Sequence, residues 1–228
     1  MTRTNHPSDD GQYPITERSR VRRGHRRADY AASTVHAVLD AAPICHVGYV
    51  IDGEPYVTPT IHWREGERVY WHGSAASRFL QQAEGRRVCL TTTLMDGYVL
   101  ARSAFNHSVN YRSAMVFGIA RVVEDPDAIA DALRRFTEGL FPGRWDALRP
   151  MSTQELKATS VLYLDIEEAS VKARAEPPGD HDEASYPVWA GVLPIKTGFS
   201  APEPAPDLPT GTAFPEALSR LLASGRLR

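Results

Sequence analysis

Two strand-like runs, Ile44–Ile51 and Pro55–Trp63, face each other across the Asp52-Gly53 pair. Asp-Gly between alternating apolar residues is a strong short-range signal for a two-residue hairpin, so this stretch commits the chain to antiparallel pairing. Glu65-Gly66 marks the next turn, and ERVYWHG reads as a third strand. Ser74 then fits an N-cap, AASRFLQQAE a short helix, and Gly85 its C′ residue. RRVCLTTTL and YVLARSAF, parted by Asp96-Gly97, read as a second hairpin, and NYRSAMVFGIARVVE as a long sixth strand.

Helices are inserted between these strands and do not alternate with them. The segment after Ala28 places Tyr30, Val35, Val38 and Leu39 near helical spacing and stops at Pro43. Asp125-Pro126 fits the N-cap and first position of a helix running to Leu140, and a short helix is expected from Ser152. VLYLDIEEASVKARAE supplies one or two final strands. Six or seven hairpin-joined strands with a few short helices give an α+β, mainly β, antiparallel barrel with Greek-key-like connections, not a doubly wound sheet.

Length and charge narrow the function classes. The 228 residues suit one domain with terminal extensions, and 42% of them are apolar, enough for a sizeable core. The expected division is a disordered stretch over 1–16, the barrel over 17–195, and a Pro-rich tail over 196–228. A net charge of -2 argues against a general nucleic-acid binder. No apolar run is long enough for a membrane helix, and the polar N-terminus is unlike a secretory signal, so a cytoplasmic location without membrane contact is expected. Cys45 and Cys89, each inside an apolar run, read as small buried side chains. Glu17–Arg27 carries six arginines, a segment too self-repelling for a core but suited to a partner subunit or an anion.

Three stretches have chemical potential. In Trp71–Arg78, a strand end, the hydroxyls of Ser74 and Ser77 and the Arg78 guanidinium make either an ordinary helix cap or a receptor for a phosphate dianion. In Pro55–His62, Pro59 cannot donate to a ladder, which places the strand at an edge or a bulge; this is either a bulged edge strand with no ligand or one whose freed backbone groups meet a flat heteroaromatic ring. Asn106–Ser113 opens the sixth strand with polar side chains, either as a solvent-facing turn or as donors across a subunit interface. His46, His62, His72 and His107 lie on strands or strand ends without the spacing of a zinc site, whereas a haem axial ligand needs only one histidine. No metal other than a haem iron is expected.

Taken together, the order of DGEPYVTPT, HGSAASR, DGYVLARSAFNHSVNYRS and VWAGVLP resembles the pyridoxamine 5′-phosphate oxidase-like flavoproteins of the split β-barrel fold, within them the subgroup related to nitroimidazole-resistance reductases. The resemblance spans Glu17 to Ile195. It implies a homodimer that binds FMN at the subunit interface and reduces a small electrophile, nitroaromatic or quinone, with nicotinamide-derived electrons. It implies further that Val57, Thr58, Pro59, Thr60, Ile61 and His62 line the flavin ring, that His72, Gly73 and Ser74 follow the ribityl chain, and that Ser77 and Arg78 hold the phosphate. Tyr111, Arg112 and Ser113 would reach in from the partner subunit. His72 is the candidate for substrate contact or haem ligation. Non-enzymatic flavin or haem binding, or a deazaflavin in place of FMN, are the alternatives, and the charged tail of a deazaflavin would suit the arginine segment. The C-terminal SRLLASGRLR departs from the phosphate-binding tail of true pyridoxamine phosphate oxidases, and Phe79 stands where they carry a second basic residue.

Overall fold

The computed structural model describes residues 11–180 and 185–225. Six strands close into a ring in the order β2 (Ile44–Ile51), β3 (Glu54–Glu65), β4 (Arg68–Ser74), β7 (Thr159–Asp165), β6 (Ser108–Val122), β5 (Arg87–Leu100) and back to β2. Every pairing is antiparallel. The ring is not a regular barrel, because β6 changes partner along its length. Its Tyr111–Phe117 half pairs with β8 (Glu168–Arg174), and its Ala120–Val122 end pairs with β7. This is the split-barrel architecture expected from the resemblance. Two short strands extend the sheet: β1 (Ala28–Asp29) on β8, and β9 (Gly191–Pro194) on β5.

Strand alternation sends one face of each strand inward. Val47, Tyr49 and Ile51 of β2, Val88 and Leu90 of β5, and Val116 of β6 fill the ring, with Trp71 wholly buried at its centre. Helix α1 (Ala32–Ala41) adds Val35, Val38 and Leu39, the residues its spacing singles out. Outside the ring, α3 (Pro126–Leu140) lays Ile129, Ala132 and Leu133 over Trp63, Tyr70 and Val161 to make a second core. Its start is as expected: the Asp125 side chain accepts from the Asp127 N–H at 3.3 Å, with proline in the first turn. The short α4 (Thr153–Ala158) begins at Ser152 with a reciprocal capping box to Glu155.

Three local expectations are corrected. Asp96-Gly97 is not a hairpin turn; β5 runs through it with a register shift between Met95 and Gly97, a bulge, and its real turn to β6 lies at residues 101–107. The glycine serves packing, since a Cβ there would fall 2.8 Å from the Leu193 carbonyl oxygen of β9. Ser74 is the last residue of β4, and α2 (Arg78–Ala83) has Ser77 as its N-cap. The chain stays extended because Ser74 remains opposite Thr159 and the Ala75 N–H donates to the Ala158 carbonyl at 2.8 Å. Finally, the segment after Ala28 opens as strand β1, and α1 starts only at Ala32.

Residues 1–10 lie outside the described residues. Tyr13, in the stretch read as disordered, is 1% exposed, and its hydroxyl meets both His36 and Glu67. In the tail, α5 (Glu216–Ser224) follows β9 and contributes no buried residue. No helix among the described residues is long and apolar enough to cross a membrane.

Candidate functional site: the half-paired edge of β3

Strand β3 changes neighbour in its middle. Glu54–Ile61 pairs with β2, in unbroken register through Pro59 opposite His46, while His62–Glu65 pairs with β4. Proline therefore sits in a strand with one partner, as its missing N–H requires, and no bulge is needed. Across from β2, the Glu54–Ile61 half has no strand partner among the described residues.

The start of α2 lies beside this half. The Arg78 guanidinium stands over the Tyr56 ring at 5.3 Å, and Phe79 packs on Tyr49, which stacks on Tyr56 at 5.6 Å. Ser77 caps α2 without a side-chain hydrogen bond, and its N–H donates to the Ser74 carbonyl at 2.8 Å. The Ser74 hydroxyl accepts from the Ala76 N–H at 3.2 Å. Arg78, Ser74 and Ser77 thus gather within one turn of chain near Tyr56, and Arg78 makes no ion pair among the described residues. Val57, 65% exposed, and Pro59 point outward, while the Thr58 hydroxyl meets the Tyr49 hydroxyl at 3.2 Å and Thr60 is half-buried.

The histidines separate. His62 is wholly buried, its Nε2 at 3.0 Å from the Leu39 carbonyl of α1; it shares the inward face of β3 with Thr58 and Thr60 and is the one fully buried residue of the Val57–His62 run. His72 lies on the opposite face of β4 from Trp71 and Gly73, against Trp63 (5.9 Å between ring centroids) and Phe136 of α3 (5.0 Å). Its Nδ1 is buried without a hydrogen-bond partner, and burial pushes its pKa below the ordinary 6.5, which keeps the imidazole neutral at neutral pH. Gly73 faces the core, where a Cβ would press on Leu80 at 3.2 Å.

Tyr111, Arg112 and Ser113 are not brought to β3 within one chain. The sheet order β3-β2-β5-β6 puts three strand spacings, roughly 14 Å, between them. Arg112 is held by the Asp96 carboxylate through hydrogen bonds of 2.9 and 2.7 Å, and the Ser113 hydroxyl donates to the Lys172 carbonyl at 3.1 Å. Between the two groups, Pro59, His46, Thr91, Met115 and Ser170 stand in one register row across β3, β2, β5, β6 and β8. Ile44, Val50, Val57 and Met115 leave this outer face of the ring apolar and exposed. Sequence reasoning passed over that face, although the apolar residues on both faces of ICHVGYVI were its signal.

Comparison with known proteins agrees with this architecture. The flavocytochrome Anf3 from Azotobacter vinelandii is 45% identical, with a TM-score of 0.86 over 90% of this chain and 97% of its own. The FAD and haem binding protein from Mycobacterium smegmatis is 35% identical, with a TM-score of 0.83 over 89% of this chain and 99% of its own. A candidate 5-nitroimidazole antibiotic resistance protein from Bacteroides thetaiotaomicron, 21% identical with a TM-score of 0.53 over 64% of this chain and 85% of its own, shares the fold. A search of the curated proteins found no match. The family model described as pyridoxamine 5′-phosphate oxidase matches residues 31–173, well over half of the chain, and this protein belongs to that family.

Proposed function

We propose that this protein binds a flavin along the half-paired edge of β3 and acts as an oxidoreductase, passing nicotinamide-derived electrons to a small electrophile of nitroaromatic or quinone type. The observation that carries the reading is the meeting of a free strand edge with an unpaired arginine: Glu54–Ile61 is bonded on one side only, and Arg78 stands over Tyr56 at its flank. A flat heteroaromatic ring needs in-plane backbone donors and acceptors, and a phosphate needs a guanidinium and hydroxyls. Both needs are met within a few residues. The names of the two relatives above 30% identity, a flavocytochrome and a FAD and haem binding protein, support a flavin and set FAD beside the FMN expected from sequence.

A bound flavin supplies the electron-transfer chemistry; the chain supplies binding, orientation and exclusion of water. Arg78, Ser74 and Ser77 bind the phosphate, and the Val57–Ile61 backbone orients the ring. Tyr111, Arg112 and Ser113 lie too far away in one chain to take part, so their contribution requires a second copy. We infer a homodimer closed through the exposed apolar face of β2, β3, β5 and β6, which buries Ile44, Val50, Val57 and Met115 and shields the ring from solvent. His72, neutral and set against Trp63 and Phe136, offers no charge to a substrate and can accept or donate one hydrogen bond.

A second reading adds a haem, favoured by the haem or cytochrome in both relatives' names. His72 is then the candidate ligand, because a neutral imidazole is the form that binds iron and the Trp63 and Phe136 rings give it an apolar surround. The absorbance of purified protein, desalted after addition of FMN, FAD or haemin, tests both readings. A retained flavin double band with turnover of a nicotinamide and a quinone supports the reductase. Loss of every flavin on desalting overturns it, and retention without turnover leaves a binding protein. A Soret band unchanged in His72→Ala removes that ligand.

A further inference from the structure

The arginine segment is built into the structure away from β3. Gly24, at φ 69°, turns the chain over Lys172, and His25–Arg27 follows as a single 3-10 turn against β8. Two hollows open there, of about 480 and 660 Å³, with Arg23, Arg27 and Glu176 common to both. The smaller is otherwise lined by His25, Arg26 and Lys172, and the larger reaches the 101–107 turn through Phe105, Asn106 and His107. Its floor is fixed by Arg174, 6% exposed, which donates to the Asn110 side chain and to the carbonyls of Glu176 and Pro177.

Two features mark this place as receptive. First, positive charge is left over. Glu176 is the one carboxylate in either lining and is taken by Arg27 at 2.6 Å, while Arg23 and Arg26 have no ion pair among the described residues. The contrast is a hollow of about 630 Å³ beside α3, where Arg68, Arg121 and Arg135 share the lining with Glu84, Glu124 and Asp125. Second, Phe105 is 94% exposed at the rim of the basic hollow, on a short 3-10 turn (Ala104–Asn106) closed by the Asn106 N–H on the Ser103 carbonyl at 3.2 Å. The free Phe105 face beside the unpaired Arg23 in the larger hollow, with the unpaired Arg26 in the adjoining smaller one, matches a ligand that is flat at one end and multiply anionic at the other.

We propose that Arg23, Arg26, Arg27 and Phe105 form a binding site for a nucleoside diphosphate group, with the arginines on the diphosphate and the base laid on the Phe105 ring. Inorganic phosphate alone leaves Phe105 unused. The volume of each of the two adjoining hollows falls within the range of small-molecule sites, roughly 300 to 1,000 Å³. Such a group is one half of FAD and of the nicotinamide dinucleotides alike, and the site stands whether or not β3 holds a flavin.

The test is calorimetric titration of the full chain with ADP, without flavin or turnover, for wild type, the Arg23→Gln/Arg26→Gln double variant and Phe105→Ala. All three positions are exposed, and circular dichroism confirms that the variants fold. ADP binding that weakens tenfold or more in both variants supports the site. ADP that does not bind at millimolar concentration, binding that either variant leaves unchanged, or a single-stranded oligonucleotide that binds more tightly than ADP overturns it. The source is then separated by two further measurements. A preference for FAD over FMN that Phe105→Ala abolishes, with FMN affinity intact, identifies the flavin's own tail. Equal affinity for the two flavins, with a raised KM for the reduced nicotinamide in the variants, identifies the electron donor.

Discussion

Gly118 of β6 passes so close to the carbonyl oxygen of Asp165 at the end of β7 that a Cβ on residue 118 would lie well inside 3.0 Å of it, with Leu164 also crowded. This is where β6 leaves β8 for β7, and the Glu167 N–H donates to the Phe117 carbonyl at 3.0 Å to seal the fork. The obstacle to a side chain is backbone, which has no rotamer to yield. Gly118→Ala is therefore expected to destabilise by about 1 to 3 kcal/mol, the usual cost of overpacking. Urea denaturation measures it, and a loss below about 0.5 kcal/mol would show that the fork can widen.

Tyr13 ties the N-terminal segment to the ring through its hydroxyl, which bonds Glu67 and stands 2.8 Å from His36 Nε2. Burial first, and the Glu67 carboxylate second, push the phenol well above its ordinary pKa, so it stays a donor. Tyr13→Phe keeps the packing and loses about 1 kcal/mol, because His36 and Glu67 retain access to water. Tyr13→Ala also empties a core position and should cost about 3 to 5 kcal/mol. Equal losses in the two variants would refute this division.

What was legible in the sequence follows the range of the interactions. Local signals held: Asp52-Gly53 and Glu65-Gly66 turn where expected, and Asp125-Pro126 starts α3, since each needs only its neighbours. Asp96-Gly97 misled because the same glycine that permits a turn also permits the close approach of β9, a strand almost a hundred residues later. Ser74 misled because a strand ends where its partner ends, and that partner, Thr159, is distant in sequence. At the candidate site, Pro59 signalled the half-paired edge correctly. Nothing local foretold that His62 would turn inward to the Leu39 carbonyl, or that an α3 residue, Phe136, would lie against His72. Tyr13 was hidden among polar neighbours, with no periodicity to betray its burial.

Acid should weaken the fold through two histidines. Burial lowers the pKa of His72, and burial with Arg64 lowers that of His36 despite Glu67 and Asp40. In the folded chain both resist protonation, whereas in the unfolded chain they protonate near 6.5. Below that pH the unfolded state binds more protons, so stability falls as pH drops. Urea midpoints should be lower at pH 5.5 than at 7.5, a window above the range of ordinary carboxylates. His72→Gln, which cannot take the proton, should shrink the difference. An identical pH dependence in the variant would mean that folding leaves the His72 pKa where it is in the unfolded chain.

Arg78 is the residue on which the β3 reading turns. It stacks on Tyr56 without a carboxylate partner among the described residues, so its charge is available to a ligand phosphate. Removal of one charge-assisted hydrogen-bonding partner costs about 1.5 to 3 kcal/mol, which corresponds to a flavin affinity roughly tenfold to a hundredfold weaker in Arg78→Ala. Arg78→Lys retains the charge but loses the planar fork and should recover only part of that loss. The Tyr56 contact adds little to stability, because Arg78 is exposed, so the unfolding midpoint without flavin should stay close to wild type. Fluorescence titration with FMN and FAD separates the alternatives: unchanged affinity for both flavins in Arg78→Ala would move the phosphate away from α2, whereas a parallel loss for both places it there.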